Sequence, residues 1–261
     1  MDILPVEIFL LAASPFVGSF ITMAARAWPD WSRVMAARSA CDGCGRILTS
    51  GELIPVIGYV AQRGRCRCGT HAIWPLHPVG ELLAIGIAAA CVTVASGAGA
   101  WLAALFGWAL LFAALADIRT LELPDVVTLG LIPAGLGAAL LRGGPDAAVQ
   151  GAAAAVLGFA VLGAVAWLYR RTRGREGLGM GDAKLLAAAG AWTAPLALPW
   201  IIAGAAAATL LGLGIARLAG TRIPADMAVP FGPGLALAAF AAHLVVTVQA
   251  GVWPGLIVWP S

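Results

Sequence analysis

Charge is absent from six long stretches of this 261-residue sequence: residues 8–25, 82–116, 126–141, 147–169, 185–216 and 227–261. A helix needs about 20 mostly apolar residues to cross the bilayer core, so these stretches predict membrane spans and exclude an ordinary water-soluble globule. The bulk composition agrees, because 61% of the residues are hydrophobic and only 11% are charged, against about 25% charged in an average soluble domain. Thirty-three glycines suit helices that associate in lipid, where small residues let backbones approach closely. The expected class is an all-α polytopic membrane protein. A net charge of +3 is too small to point to a nucleic-acid partner; the partner it does imply is the lipid bilayer.

Two of the stretches are too long for one crossing, and each carries its own break. Residues 82–116 are interrupted by Ser96-Gly97-Ala98-Gly99, and 185–216 by Thr193-Ala194-Pro195, so each is expected to form two helices joined by a tight turn. About eight transmembrane helices result, over 4–26, 78–96, 100–117, 125–142, 148–169, 182–194, 196–217 and 233–256. The sixth is short for a span. Alternating sides from the first span puts fifteen of the sixteen Lys and Arg residues on one side and leaves Arg142 alone on the other. Lysine and arginine are retained on the cytoplasmic side, so both termini are expected to face the periplasm. The domain plan is a first span over 1–27, a cytoplasmic cysteine-rich loop over 28–77, and a seven-span core over 78–261. Asp2 and Glu7 precede the first apolar segment and Arg26 follows it, which reverses the polarity of a secretory signal and predicts a retained span.

The loop holds Cys41-Asp-Gly-Cys44 and, 21 residues later, Cys66-Arg-Cys68. Four thiolates from two short knuckles can close a tetrahedral zinc site and so fold a segment that lacks an obvious core. The second pair has the tighter bite, and His71 or His77 is an alternative ligand. The bland alternative is a set of free, reduced cytosolic thiols. Cys91 lies apart, inside an apolar run.

Acidic residues at membrane depth are costly and usually face a cavity where they have a task. Six bear on chemistry: Glu81, Asp117, Glu122, Asp125, Asp182 and Asp226. Asp117 ends the third expected span in Ala114-Leu-Ala-Asp117, and Asp182 opens the sixth in Gly179-Met-Gly181-Asp182-Ala-Lys184. Two spans lie between them, so the topology returns both to the cytoplasmic edge. Two carboxyls that meet there share a proton and titrate as a unit; one then takes a proton from water while the other donates to the carbonyl oxygen. Gly179 and Gly181, lacking side chains, permit close approach of a substrate backbone or a neighbouring helix. For any one of these acids alone, solvation at the interface is the simpler reading. Asp125, after Pro124, reads as a helix cap. Glu122, Asp125 and Glu176 are candidates to attract a basic peptide, and His243 reads as a packed, hydrogen-bonded residue.

Taken in order, these residues resemble the type IV prepilin peptidases, intramembrane aspartic proteases of the Gly-x-Gly-Asp class. The similarity runs through Val17-Gly18-Ser19-Phe20, Arg26-Ala-Trp-Pro29, Arg38-Ser-Ala-Cys41-x-x-Cys44, Ile54-Pro55, Gly64-Arg65-Cys66 and Pro78-Val-Gly-Glu81. It continues through Asp117, Leu123-Pro124-Asp125, Gly179-Met-Gly-Asp182-Ala-Lys184-Leu185, Ile223-Pro224 and Val229-Pro230-Phe231-Gly232-Pro233. The resemblance implies a bacterial inner-membrane enzyme, active at the cytoplasmic face, that removes the basic leader from prepilins and pseudopilins with an apolar N-terminal helix. It also implies S-adenosylmethionine-dependent N-methylation of the new N-terminus. Asp117 and Asp182 match the catalytic aspartates; Gly179, Gly181 and Lys184 belong to the second motif; Cys41, Cys44, Cys66 and Cys68 match the zinc ligands. Cys66-Arg-Cys68 departs from the family in having one intervening residue instead of two. The rival classes are a transporter or proton channel using carboxylates as a relay, which would place them near the midplane, and a scaffold presenting the cysteine loop.

Overall fold

The computed structural model describes residues 5–30, 39–41, 43–69, 71–174, 177–221, 224 and 228–252. Arg38, Glu176 and Asp226, named above, lie outside the described residues. Among those described there is no β-strand, only the isolated bridges Ala40↔Ile47 and Arg65↔Ala72. The helices are α1 (Pro5–Ala27), α2 (Ile57–Ala61), α3 (Leu76–Val94), α4 (Gly97–Thr120), α5 (Asp125–Arg173), α6 (Met180–Trp192), α7 (Leu198–Leu218) and α8 (Gly232–Val252).

Among the described residues, six helical segments, those of α1, α3, α4, α5, α7 and α8, are long and apolar enough to cross a membrane. Large apolar side chains such as Phe9, Phe16, Trp200, Leu211 and Leu218 are exposed on them, as lipid-facing surface demands and water would not tolerate. The chain is a multi-pass membrane protein. The 49-residue α5 is broken at Gly144, whose φ of 72° and ψ of −165° are not helical, with Pro145 following. Only glycine takes that backbone conformation cheaply, and proline cannot continue the ladder behind it. The break separates arms over 125–143 and 145–173, where the sequence predicts two spans. The sixth expected span is the 13-residue α6, only about 20 Å long at 1.5 Å per residue against a core of about 30 Å.

The chain divides into two compact units, residues 1–112 and 113–261, with α4 passing from one to the other. In the first, α1 packs along α3 so tightly that a Cβ on Gly18 would lie 2.7 Å from the Glu81 Cα. Buried Glu7 accepts the Gly97 N–H at 2.8 Å, capping α4 across the fold, and the Trp108 indole donates to the Ala84 carbonyl. In the second, α6 is the centre: every residue from Asp182 to Trp192 except Lys184 is buried. A helix apolar all round needs protein on every side. Here α5 and α8 supply it, and a Cβ on Gly190 would meet the Ala154 backbone at 2.6 Å. His243 is buried as expected; its Nδ1–H donates to the Trp192 carbonyl at 2.8 Å and its ring meets the Trp192 indole edge-on.

Candidate active site and cysteine module

Asp117 stands in the last turn of α4 and Asp182 in the first turn of α6, both buried. Asp182 Oδ2 accepts the N–H of Gly179 at 3.2 Å, the reach-back half of a capping box at the start of its own helix. Asp117 Oδ2 accepts the N–H of Gly232 at 2.9 Å, across 115 residues of sequence. That donor belongs to the first turn of α8, where N–H groups lack intrahelical partners and favour a carboxylate.

Leu123 ties the two sides together. A Cβ on Gly181 would lie 3.0 Å from the Leu123 Cβ, and one on Gly232 would lie 3.0 Å from Leu123 Cδ2 and 2.7 Å from Asp117 Oδ2. Glycine at 181 and 232 therefore lets one leucine side chain fit between the start of α6 and the start of α8. Lys184, two residues after Asp182, donates to Asp125 Oδ1 at 2.7 Å. Pro124 occupies the N-cap of α5 and Asp125 its first turn, where a carboxylate suits the free N–H groups; the same side chain joins this ion pair, which links the start of α5 to α6. The pairing offsets the charge that would have attracted a basic peptide, whereas Glu122 is exposed.

The cysteines form a separate constellation. Sulfur atoms of Cys41, Cys44, Cys66 and Cys68 all lie within 4.8 Å of one another, with Cys44 and Cys66 3.9 Å apart. Tetrahedral zinc with Zn–S bonds of about 2.3 Å needs sulfurs roughly 3.8 Å apart, so the donor set fits zinc in both chemistry and size. Each knuckle is a tight hairpin: Gly45 N–H donates to the Cys41 carbonyl and Gly69 N–H to the Cys66 carbonyl, both glycines having positive φ. The turn at Gly69 brings Cys68 into the group despite the single intervening residue. His77 is engaged elsewhere, against Ser19 Oγ at 3.2 Å and Glu81 at 3.4 Å. The Arg46 guanidinium grips Glu52 with both nitrogens, Thr49 donates to the same carboxyl, and Arg67 stands 3.2 Å from it. Arg46 holds the Glu52 carboxyl down at about 2, so the clamp persists across neutral pH and is lost only as pH falls through that value.

Three partners were not visible to sequence reasoning. The Gly232 N–H that holds Asp117 carries no residue-type signal. Glu81 was flagged as an acid near a span, but its buried carboxyl accepts the Val56 N–H at 2.6 Å, fastening the loop to α3. The Asp125 partner lies 59 residues away.

Two family models match the chain: Bacterial Peptidase A24 N-terminal domain over residues 13–95, and Type IV leader peptidase family over residues 104–216. Among similar proteins, each named prepilin leader peptidase/N-methyltransferase, that of Burkholderia pseudomallei (strain K96243) is 41% identical over 202 residues, covering 76% of this chain and 64% of that protein. The Aeromonas hydrophila protein is 36% identical, covering 81% and 72%, and that of Pseudomonas aeruginosa is 37% identical, covering 79% and 71%. The chain thus spans just under two thirds of the length of the Burkholderia relatives it matches. No solved structure matches it.

Proposed function

Because the chain belongs to the type IV leader peptidase family, we propose that it is an intramembrane aspartic endopeptidase that removes the basic leader of prepilins and pseudopilins. The observation that carries this reading is the pair of buried carboxyls, Asp117 and Asp182, each steadied by a backbone N–H, at helix starts and ends that meet around Leu123 through Gly232 and Gly181. With one proton shared between them, the ionised carboxyl takes a proton from water, the protonated one donates to the scissile carbonyl oxygen, and the hydroxyl adds to the carbonyl carbon. Collapse of that adduct breaks the C–N bond, and the departing amine takes up a proton. Gly179 and Gly181 leave room for the substrate backbone, while Lys184 acts on the site through its pairing with Asp125. A relay for ions gains no support, since both acids stand at helix ends.

The domain plan fits this activity: a first span over 1–27, a loop over 28–77 and a core over 78–261. The partition of fifteen basic residues against one supports a cytoplasmic active site in the bacterial inner membrane, with both termini periplasmic. The substrate's apolar helix then lies in the bilayer beside the enzyme and its basic leader hangs in the cytoplasm. Cys41, Cys44, Cys66 and Cys68 would hold zinc, which supplies folding energy to the loop and no step of hydrolysis. The second activity is methylation of the new amine, with S-adenosylmethionine as co-substrate giving its methyl group and releasing S-adenosylhomocysteine and a proton.

Mass spectrometry of a prepilin incubated with purified enzyme and S-adenosylmethionine tests both halves, because leader loss and methyl gain are separate mass changes. An intact prepilin overturns the peptidase reading; a shortened but unmethylated one overturns the second activity. The cysteine module has its own test. Cys41→Ser is expected to lower bound zinc at least severalfold, since removal of a protein ligand of a closed site leaves three, and to reduce methylation more than cleavage. Metal analysis that finds full occupancy in the variant removes the four-thiolate site.

A further inference from the structure

Cys66 is the buried sulfur of the four-cysteine group: 4% of its surface is accessible, whereas Cys41 is half-buried and Cys44 and Cys68 are exposed. A zinc tetrathiolate carries a net charge of about −2, and charge that water does not reach must be met by hydrogen-bond donors or cations of the protein. Solvent serves the other three sulfurs. Cys66 depends on its neighbours.

Arg46 meets that sulfur. Its Nη2 stands 3.9 Å from Cys66 Sγ, while Nη2 and Nη1 grip Glu52 Oε1 and Oε2 at 2.7 and 3.2 Å. The Glu52 side chain is only 2% exposed, and its Oε2 also accepts the backbone N–H and the hydroxyl of Thr49. The carboxylate is thus fixed from its own side of the loop and locks the guanidinium fork beside the sulfur. The buried Arg46 Nε is left without a partner, a cost that the contacts of the other two nitrogens must offset. Arg67, the residue inside the short knuckle, reaches the same carboxylate at 3.2 Å, but its side chain is 69% exposed, and an ion pair in water is worth little.

We propose that Arg46, held in place by Glu52, donates an N–H to the Cys66 thiolate of the zinc-loaded module and so sets how firmly the module keeps its metal. This rests on the reading of the four cysteines as a zinc site. A hydrogen bond from a cation stabilises the charged form of a buried thiolate, which is the form a metal binds. Groups that bond to metal ligands from outside are typically worth roughly 10–100-fold in metal affinity. Glu52 is a positioning residue, acting on the sulfur only through Arg46.

The test reads the metal itself on purified full-length protein. Arg46→Met keeps the length of the stem and leaves in place the hairpin bond from the Cys41 N–H to the carbonyl of residue 46, so what is lost is the guanidinium. Zinc affinity, measured by competition with a chromogenic chelator, is expected to fall about 30-fold in Arg46→Met and about tenfold in the isosteric Glu52→Gln, which frees the fork. In Arg67→Met it is expected to fall less than about twofold. With Co2+ in place of zinc, the thiolate-to-metal charge-transfer band is expected to move to longer wavelength in Arg46→Met and Glu52→Gln, because a sulfur without its donor gives up an electron more readily. Glu52→Gln keeps an acceptor for Thr49, so the band is readable there even where Arg46→Met loses the metal outright. Weaker zinc binding with an unmoved band in these variants means that Arg46 acts on the fold of the loop alone, and overturns the proposal. Wild-type affinity in Arg46→Met does the same, as does a loss in Arg67→Met as large as that in Arg46→Met. A wild-type protein that binds neither metal defeats the zinc reading itself, a result distinct from all of these.

Discussion

Asp117→Asn and Asp182→Asn are each expected to abolish leader cleavage in membranes while the variants insert and accumulate as the wild type does. Asparagine keeps the size of the side chain and an oxygen that can still accept the Gly232 or Gly179 N–H, so the local fold persists. What is lost is the ability to pass a proton. Acid–base catalysis by one positioned group is worth roughly 10²–10⁴-fold, and two carboxyls sharing a proton act as a unit, so removing either forfeits the contribution of both. Leader processing is read by immunoblot or mass shift, and insertion by membrane fractionation and protease protection. The double variant is expected to be no worse than either single one. Normal processing by Asp117→Asn or by Asp182→Asn removes the dyad from the mechanism, whatever the family membership.

Charge-free runs gave up most of the architecture because the bilayer penalises charge along the whole length of a span, and that penalty is written residue by residue. The two arms of α5 were expected because Arg142 and Asp146 separate the charge-free runs 126–141 and 147–169; the left-handed Gly144 and Pro145 that make the break there went unread. The shortness of α6 was legible, but its setting was not. Alanine-rich Ala183–Ala191 reads equally as lipid-facing or enclosed, and only the packing of α5 and α8 against it decides. The ion pair of Asp125 was not legible, because Lys184 is remote in sequence. Cys66-Arg-Cys68 looked too tight for a knuckle until the turn at Gly69 closed it. Asp182 was legible as a candidate through Gly179-Met-Gly-Asp182, and Asp117 as one through topology. Its restraint by the start of α8 was not, because a backbone N–H has no side-chain signature.

That restraint makes Gly232→Ala the second large effect. The added Cβ would lie 2.7 Å from Asp117 Oδ2 and 3.0 Å from Leu123 Cδ2, and real Cβ atoms do not approach oxygen so closely. Either the Asp117 carboxyl swings away from the Gly232 N–H or the start of α8 backs off; both move a proton-transferring group relative to Asp182. A misplacement of about 1 Å at such a group can cost roughly 10²-fold in rate, whereas overpacking of this kind costs about 1–3 kcal/mol in stability. Cleavage by Gly232→Ala is therefore expected to fall about 100-fold in kcat, with KM little changed, in a protein that still unfolds cooperatively at a modestly lower temperature. Gly214→Ala, where an added methyl meets nothing within 4 Å, keeps wild-type kcat and melting behaviour. If Gly232→Ala instead retains wild-type kcat, the N-terminus of α8 does not set the position of Asp117, and the catalytic geometry must be held by α4 and α6 alone.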